Sequence, residues 1–290
     1  MPVRGASRIA GRRYESKTLA AVAGVLVFLA VLGILLSLLP DRGTGEPLVE
    51  GPTEEPLEDA GEPRARRALL YDSLYREYPN EPLLDRVVGI LEGAGYEVDV
   101  FLGENATLDP LYRLEEYDIV IFRAHGAFNE EEKAQYPRGA YIYTGLYLSE
   151  ALRMYSGQPV RWIDEGLMAK GIIPPPGVRL SAEELSSLPR YLTLSPKFFQ
   201  EVADVREGAV VLFFGCFGMD DDSLASVFLS KGARAYISWK GNVTWVYMDQ
   251  VLPLVLEMVV DGNLDGIEGS VDPDPYTGST LKVALRSGAG

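Results

Sequence analysis

Residues 118–126 read DIVIFRAHG and residues 209–218 read AVVLFFGCFG. Both stretches open on a nearly unbroken apolar run of strand length, 118–122 and 209–214, which is the pattern of a strand buried on both faces of a parallel sheet. Both then reach, within three residues, a side chain that occurs once in the chain: His125 after the first run and Cys216 after the second. In open α/β sheets ligands bind in the crevice beyond the carboxyl ends of the strands. The single imidazole and the single thiol therefore fall at the functional edge of one sheet.

The flanking sequence extends that sheet. Residues 68–71 (ALLY) give a short first strand. Asn80, Glu81 and Pro82 supply a cap and an N1 proline for a helix whose Leu83, Leu84, Val87, Val88 and Leu91 recur at helical spacing, closed by Gly93 and Gly95. Residues 97–102 (EVDVFL) form a second strand before 118–122. After a variable middle, Ser195 and Pro196 open a helix carrying Phe198, Phe199 and Val202. A helix over 223–231 stops at Gly232, and 233–238 (ARAYIS) reads as a strand. Residues 247–260 make an apolar closing helix that Pro253 must kink or delay. This alternation predicts an α/β fold with a doubly wound, mostly parallel sheet.

Composition narrows the function. Among 290 residues, 42 acidic side chains against 27 basic ones give a net charge of -15, which argues against nucleic acid, since such a partner needs a basic footprint. One Cys excludes an internal disulfide, and one Cys with one His excludes multi-Cys or multi-His zinc sites. No metal or cofactor is expected.

Residues 18–39 (TLAAVAGVLVFLAVLGILLSLL) carry no charge over a length matching a hydrocarbon core of about 30 Å, and predict a transmembrane helix. Arg4, Arg8, Arg12, Arg13 and Lys17 precede it against Glu15 alone, and Asp41, Glu46 and Glu50 follow. The positive-inside rule keeps residues 1–17 in the cytoplasm and sets the remainder outside the cell membrane. A cleaved signal peptide is the rival reading, but its apolar region is usually about 7–15 residues and ends in small residues, which Leu38, Leu39, Pro40 and Asp41 do not supply. Residues 40–67, acidic and rich in Pro and Gly, read as a solvated tether to an extracytoplasmic domain over 68–290. The +4 of residues 1–17 and the -4 of residues 41–67 cancel, so that domain carries -15.

If the strands before His125 and Cys216 are neighbours, imidazole and thiol approach across one crevice. The base can then take the thiol proton to make the nucleophile that acyl transfer requires. Gly126 suits the same site, because its backbone N–H can approach a carbonyl oxygen unhindered, with the Cys216 N–H as a second oxyanion donor. Glycine is also common in turns, and taken singly a Cys after an apolar strand is more often inert filler. The coincidence of both unique residues at one edge favours chemistry. Asp220, Asp221, Asp222 and Ser223 form the N-cap region of the next helix, whose terminus favours a thiolate while the carboxylates oppose it.

With these residues in place, IVIFRAHG, VVLFFGCFG and SLASVFLSKGARAYISWKG together resemble the caspase-like cysteine peptidases, the group of caspases, metacaspases, separase, gingipain, clostripain and the CHAT domains. The resemblance spans roughly residues 68–262 and lies in the order and placement of motifs more than in exact letters. It implies a caspase-like three-layer sandwich in which His125 is the base, Cys216 the nucleophile and Gly126 an oxyanion donor. Gly215 stands where metacaspases and clostripain have Asp before the Cys, so their preference for basic residues is not carried over. Papain-like peptidases and class I amidotransferases place Cys before His, the reverse of the order here.

The resulting expectation is a membrane-anchored, extracytoplasmic cysteine endopeptidase acting on polypeptide through a thioester. A non-catalytic, membrane-tethered binding module of the same fold is the alternative, and chemistry on a small acyl substrate a third. In the resembling peptidases the segment after the Gly-Ala strand lines the pocket for the residue before the cut. That segment is residues 238–242 here, so Trp239 is expected to border the crevice shared by His125 and Cys216 and to bind substrate, with core packing at a strand end as the rival reading.

Overall fold

The structure is a computed structural model that describes residues 64–287 apart from 134, 176 and 177. The predicted transmembrane helix over 18–39, the tail and most of the tether lie outside the described residues. Among the described residues no helix is long and apolar enough to cross a membrane.

The strands are β1 (Arg66–Asp72), β2 (Tyr96–Leu102), β3 (Ile119–Arg123), β4 (Gly126–Asn129), β5 (Gly139–Tyr147), β6 (Met168–Gly171), β7 (Tyr191–Leu194), β8 (Val210–Phe214), β9 (Ala235–Lys240) and β10 (Thr280–Leu285). Six form a central sheet in the order β10-β9-β8-β3-β1-β2, parallel except for β10, and four form an antiparallel sheet in the order β4-β5-β7-β6.

Alternation along the central strands sends side chains to two cores. Leu70, Ile121, Leu212, Phe214 and Ile237 meet the helices Glu81–Gly93 and Trp245–Val260 through residues such as Leu83, Val87, Leu252 and Leu256. On the other face Leu69, Phe122, Val211, Phe213 and Tyr236 meet Phe198, Phe199, Leu224 and Phe228 of the helices Pro196–Glu201 and Ser223–Ser230, with Ile142 and Leu194 of the second sheet. The molecule is thus mixed α/β, with a mostly parallel central sheet covered on both faces. Truncating a fully buried ring such as Phe122 to Ala would cost about 3–5 kcal/mol.

Asn80 caps its helix, with its side-chain oxygen accepting from the Leu83 N–H at 3.2 Å. The variable middle holds the whole antiparallel sheet. Pro253 does not delay its helix, which starts at Trp245 and has the proline buried inside it. β1 begins at Arg66, and Arg67 donates to Asp118 through its backbone N–H at 2.8 Å and pairs with Asp99 and Glu116.

Candidate active site

Three consecutive strands deliver the site. β1 ends at Asp72 and a short turn, Ser73–Arg76, leads to Glu77 and Tyr78; β3 leads to His125 and β8 to Cys216. The three strands pair in parallel, Asp72 opposite Arg123 and Arg123 opposite Phe214. The adjacency on which the sequence argument depended is therefore met, and His125 and Cys216 line one cleft of 610 Å³.

The loops after β3 and β8 are locked together by their backbones. The Ala124 N–H donates to the Phe214 carbonyl at 3.1 Å. A Cβ on Gly126 would stand 2.0 Å from the Cys216 carbonyl oxygen, and one on Gly215 would stand 2.3 Å from that of Ala124. No side chain fits at either position, so the glycines follow from the close approach of the two loops. The His125 carbonyl accepts from the Tyr143 N–H at 3.1 Å, which makes Gly126 and Ile142 a non-hydrogen-bonded pair of the β4–β5 ladder and leaves the Gly126 N–H outside it. The Cys216 N–H likewise has no partner among the described residues. Directly after the cysteine, Phe217 adopts φ 65, a strained left-handed conformation for a bulky residue, while its N–H donates to Gly241 at 2.8 Å.

His125 stands with Tyr78 and Tyr143 edge-on at 6.2 and 6.0 Å between ring centroids. Its Nε2 is buried, lacks a hydrogen-bond partner among the described residues, and lies 3.7 Å from Glu77 Oε2, an ion-pair separation longer than a hydrogen bond. The other Glu77 oxygen accepts from the Tyr191 hydroxyl. Burial alone would raise the Glu77 carboxyl, but the neighbouring imidazole, the Tyr191 hydroxyl and the Arg76 charge hold it below the usual carboxylate range. Glu77 thus presents a carboxylate to the imidazole.

The Cys216 thiol is turned onto the loop after β9, donating to Asn242 Oδ1 at 2.9 Å with the Val243 carbonyl at 3.5 Å. Burial, reinforced by the Asp220 and Asp274 carboxylates, pushes it up to about 11. Neither carboxylate is free to swing away: Asp220 accepts from the Gly241 N–H at 2.6 Å, and Asp274 from the Thr244 N–H and hydroxyl at 2.6 and 2.9 Å. Burial first, with one member of the acidic run, Asp220, and Asp274, distant in the chain, behind it, thus favours the protonated thiol. Within that run Asp221 accepts from the Ser223 N–H at 3.0 Å, while Asp222 sits at the cap position without a side-chain bond.

Trp239 does not border the cleft. It shares the face of Ala235 and Ile237, is fully buried, and packs against Phe214 and Tyr247 at 6.4 and 5.8 Å between centroids. The reason is strand parity: β9 is covered on both faces, and position 239 points under the helix Trp245–Val260. The aromatic wall of the cleft comes instead from Trp245 and Tyr78, stacked at 4.8 Å with 20° between planes.

Beneath the site lies a buried ionic cluster that sequence reading missed. Arg123, 1% exposed, donates to Asp249 through Nε and Nη2 at 2.7 Å each, to both Asp72 oxygens at 2.9 and 3.0 Å, and to the Tyr78 carbonyl at 3.2 Å. Burial, resisted by Arg123, raises the Asp72 carboxyl to about 6. The signal was present as a lone Arg closing an apolar strand and a lone Asp inside an apolar helix, since buried charges persist only in pairs. No protein-family model matches the chain, and no curated protein matches it in sequence.

Proposed function

We propose that the chain is a cysteine endopeptidase of the caspase-like kind. The observation that carries this reading is that the single His and single Cys line one cleft beyond adjacent parallel strands, with the Glu77 carboxylate behind the imidazole. With Nε2 turned to Glu77, Nδ1 is the nitrogen left for the thiol. In this mechanism the Cys216 thiol leaves Asn242, passes its proton to His125, and the thiolate attacks the peptide carbonyl carbon. The Gly126 and Cys216 N–H groups, neither engaged among the described residues, are the donors for the resulting oxyanion. Collapse expels the amine with the proton from His125 and leaves a thioester, which a water deprotonated by His125 hydrolyses, regenerating the thiol. Glu77 is a positioning residue that holds the imidazole.

One observation favours the non-catalytic module: a thiol raised to about 11 and hydrogen-bonded away from the base is a poor nucleophile at rest. Alkylation separates the two. In a catalytic protein iodoacetamide labels Cys216 near pH 7, and His125→Ala removes that reactivity, leaving labelling that climbs only as pH approaches about 11. Identical pH profiles for both forms would make the protein a module.

The same reading takes residues 18–39 as the membrane anchor, with the catalytic domain outside. Protease added to intact cells then removes the domain, whereas accessibility of residues 1–17 alone reverses the orientation.

A further inference from the structure

The cleft beside Cys216 is walled by Leu74, Tyr78, Trp245, Val246, Met248 and Tyr276, and among the described residues no Asp, Glu, Lys or Arg lines it. In a chain of net charge -15 that exclusion is informative, because acidic groups lie close by and each is engaged elsewhere. Asp220 is held by Gly241, Asp274 by Thr244, and Asp72 and Asp249 by Arg123. Glu77 is held by Tyr191 and faces His125. A cationic side chain entering the cleft would lose water without meeting a partner, and an anionic one would meet no cation.

The walls are also held in place before anything binds. The Tyr78 carbonyl is fixed by Arg123 at 3.2 Å, and its ring stacks on Trp245. The Tyr276 N–H donates to Asp274 at 2.8 Å. Yet Trp245 and Tyr276 keep 43% and 77% of their surface exposed. A cleft of 610 Å³ with aromatic walls still in water is suited to take up apolar surface.

Resting on the peptidase reading above, we propose that this cleft holds a large apolar or aromatic side chain, that of the residue contributing its carbonyl to the Cys216 thioester, and that the enzyme cuts after Leu, Met, Phe or Tyr rather than after Arg, Lys or Asp. The acyl half stays bound to Cys216 through both steps while the amine half departs, so a pocket beside the sulfur that grips the acyl-side residue acts on both.

The test is inactivation of the full-length chain by peptidyl acyloxymethyl ketones carrying Phe, Leu, Lys or Asp next to the warhead, with labelling of Cys216 followed by intact mass. Phe and Leu reagents should label roughly 10- to 100-fold faster than Lys or Asp reagents, the range that apolar pockets discriminate. Trp245→Ala should erase most of that preference and Trp245→Phe retain it, both with unchanged thermal midpoints. Labelling that depends on His125 but is fastest with Lys or Asp, or a preference unchanged in Trp245→Ala, overturns the pocket assignment and leaves the nucleophile standing. Labelling equal in wild type and His125→Ala overturns the peptidase reading and the pocket with it.

Discussion

At the ends of β1 and β3, Arg123 grips Asp72 and Asp249 through four bonds of 2.7 to 3.0 Å, almost without exposure. A few residues further along the same edge, Glu77, His125 and Cys216 are only partly buried, the imidazole Nε2 has no hydrogen-bond partner among the described residues, and the thiol rests on a loop amide. The two groups share strands and solvent front but differ in saturation. Where every donor and acceptor is used, polar side chains have no valence left for a substrate and can only hold the loops in place. Where bonds are long or open, the groups can exchange protons and partners.

Removing the proposed nucleophile should have the largest effect. Cys216→Ala is expected to lower peptide cleavage by about 10³-fold or more while leaving the urea midpoint close to wild type. Substantial residual turnover would move the chemistry off this residue.

Arg123→Met should do the opposite. It strands two buried carboxylates and should cost roughly 3–5 kcal/mol in urea unfolding, with activity lost only in proportion to the unfolded fraction. A loss below about 1 kcal/mol would mean that the cluster is not what secures the edge.

The cluster should also appear in the pH dependence of stability. Asp72 rises from 3.8 to about 6 in the fold, so the folded chain binds its proton more readily than the unfolded chain. That contribution is fully present below pH 3.8 and is lost as pH rises to about 6, a change of roughly 3 kcal/mol at 1.36 kcal/mol per unit. Asp72→Asn should flatten this part of the curve, measured by urea unfolding between pH 4 and 6, and an unchanged slope would assign it to another group.

Glu77→Gln should have the smallest effect. It keeps the shape but removes the charge behind the imidazole, and about a tenfold to hundredfold loss of turnover is expected, at the low end of what proton-transfer partners contribute. Thermal stability should barely move, since the group is only partly buried and makes few bonds. If stability fell and turnover did not, Glu77 would belong with the ionic cluster rather than with the site.

The sequence by itself determined five of the six strands of the central sheet and the edge at which the single His and the single Cys fall. Continuous apolar runs such as DIVIF and AVVLFF have one cheap placement, a strand covered on both faces, and that placement sends His125 and Cys216 to the same edge. The capped helix after Asn80 was legible for a similar reason, because its signals are local. Tertiary structure alone decided the rest. The antiparallel sheet of β4 to β7 was hidden because three of its four strands are only four residues long and carry too little pattern to be read locally. Trp239 and Trp245 are equally aromatic and six positions apart, and only the parity of β9 against the helix Trp245–Val260 sends one into the core and the other to the cleft. Glu77 carries no motif; it reaches His125, 48 residues away in the chain, because β1 and β3 are neighbours in space. The thiol's protonation was likewise beyond the sequence, since it follows from burial and from carboxylates that the loop hydrogen bonds of Gly241 and Thr244 hold near the sulfur. Local patterns fix which surfaces must be covered, whereas the identity of the covering group and the field it exerts depend on contacts that exist only once the chain has folded.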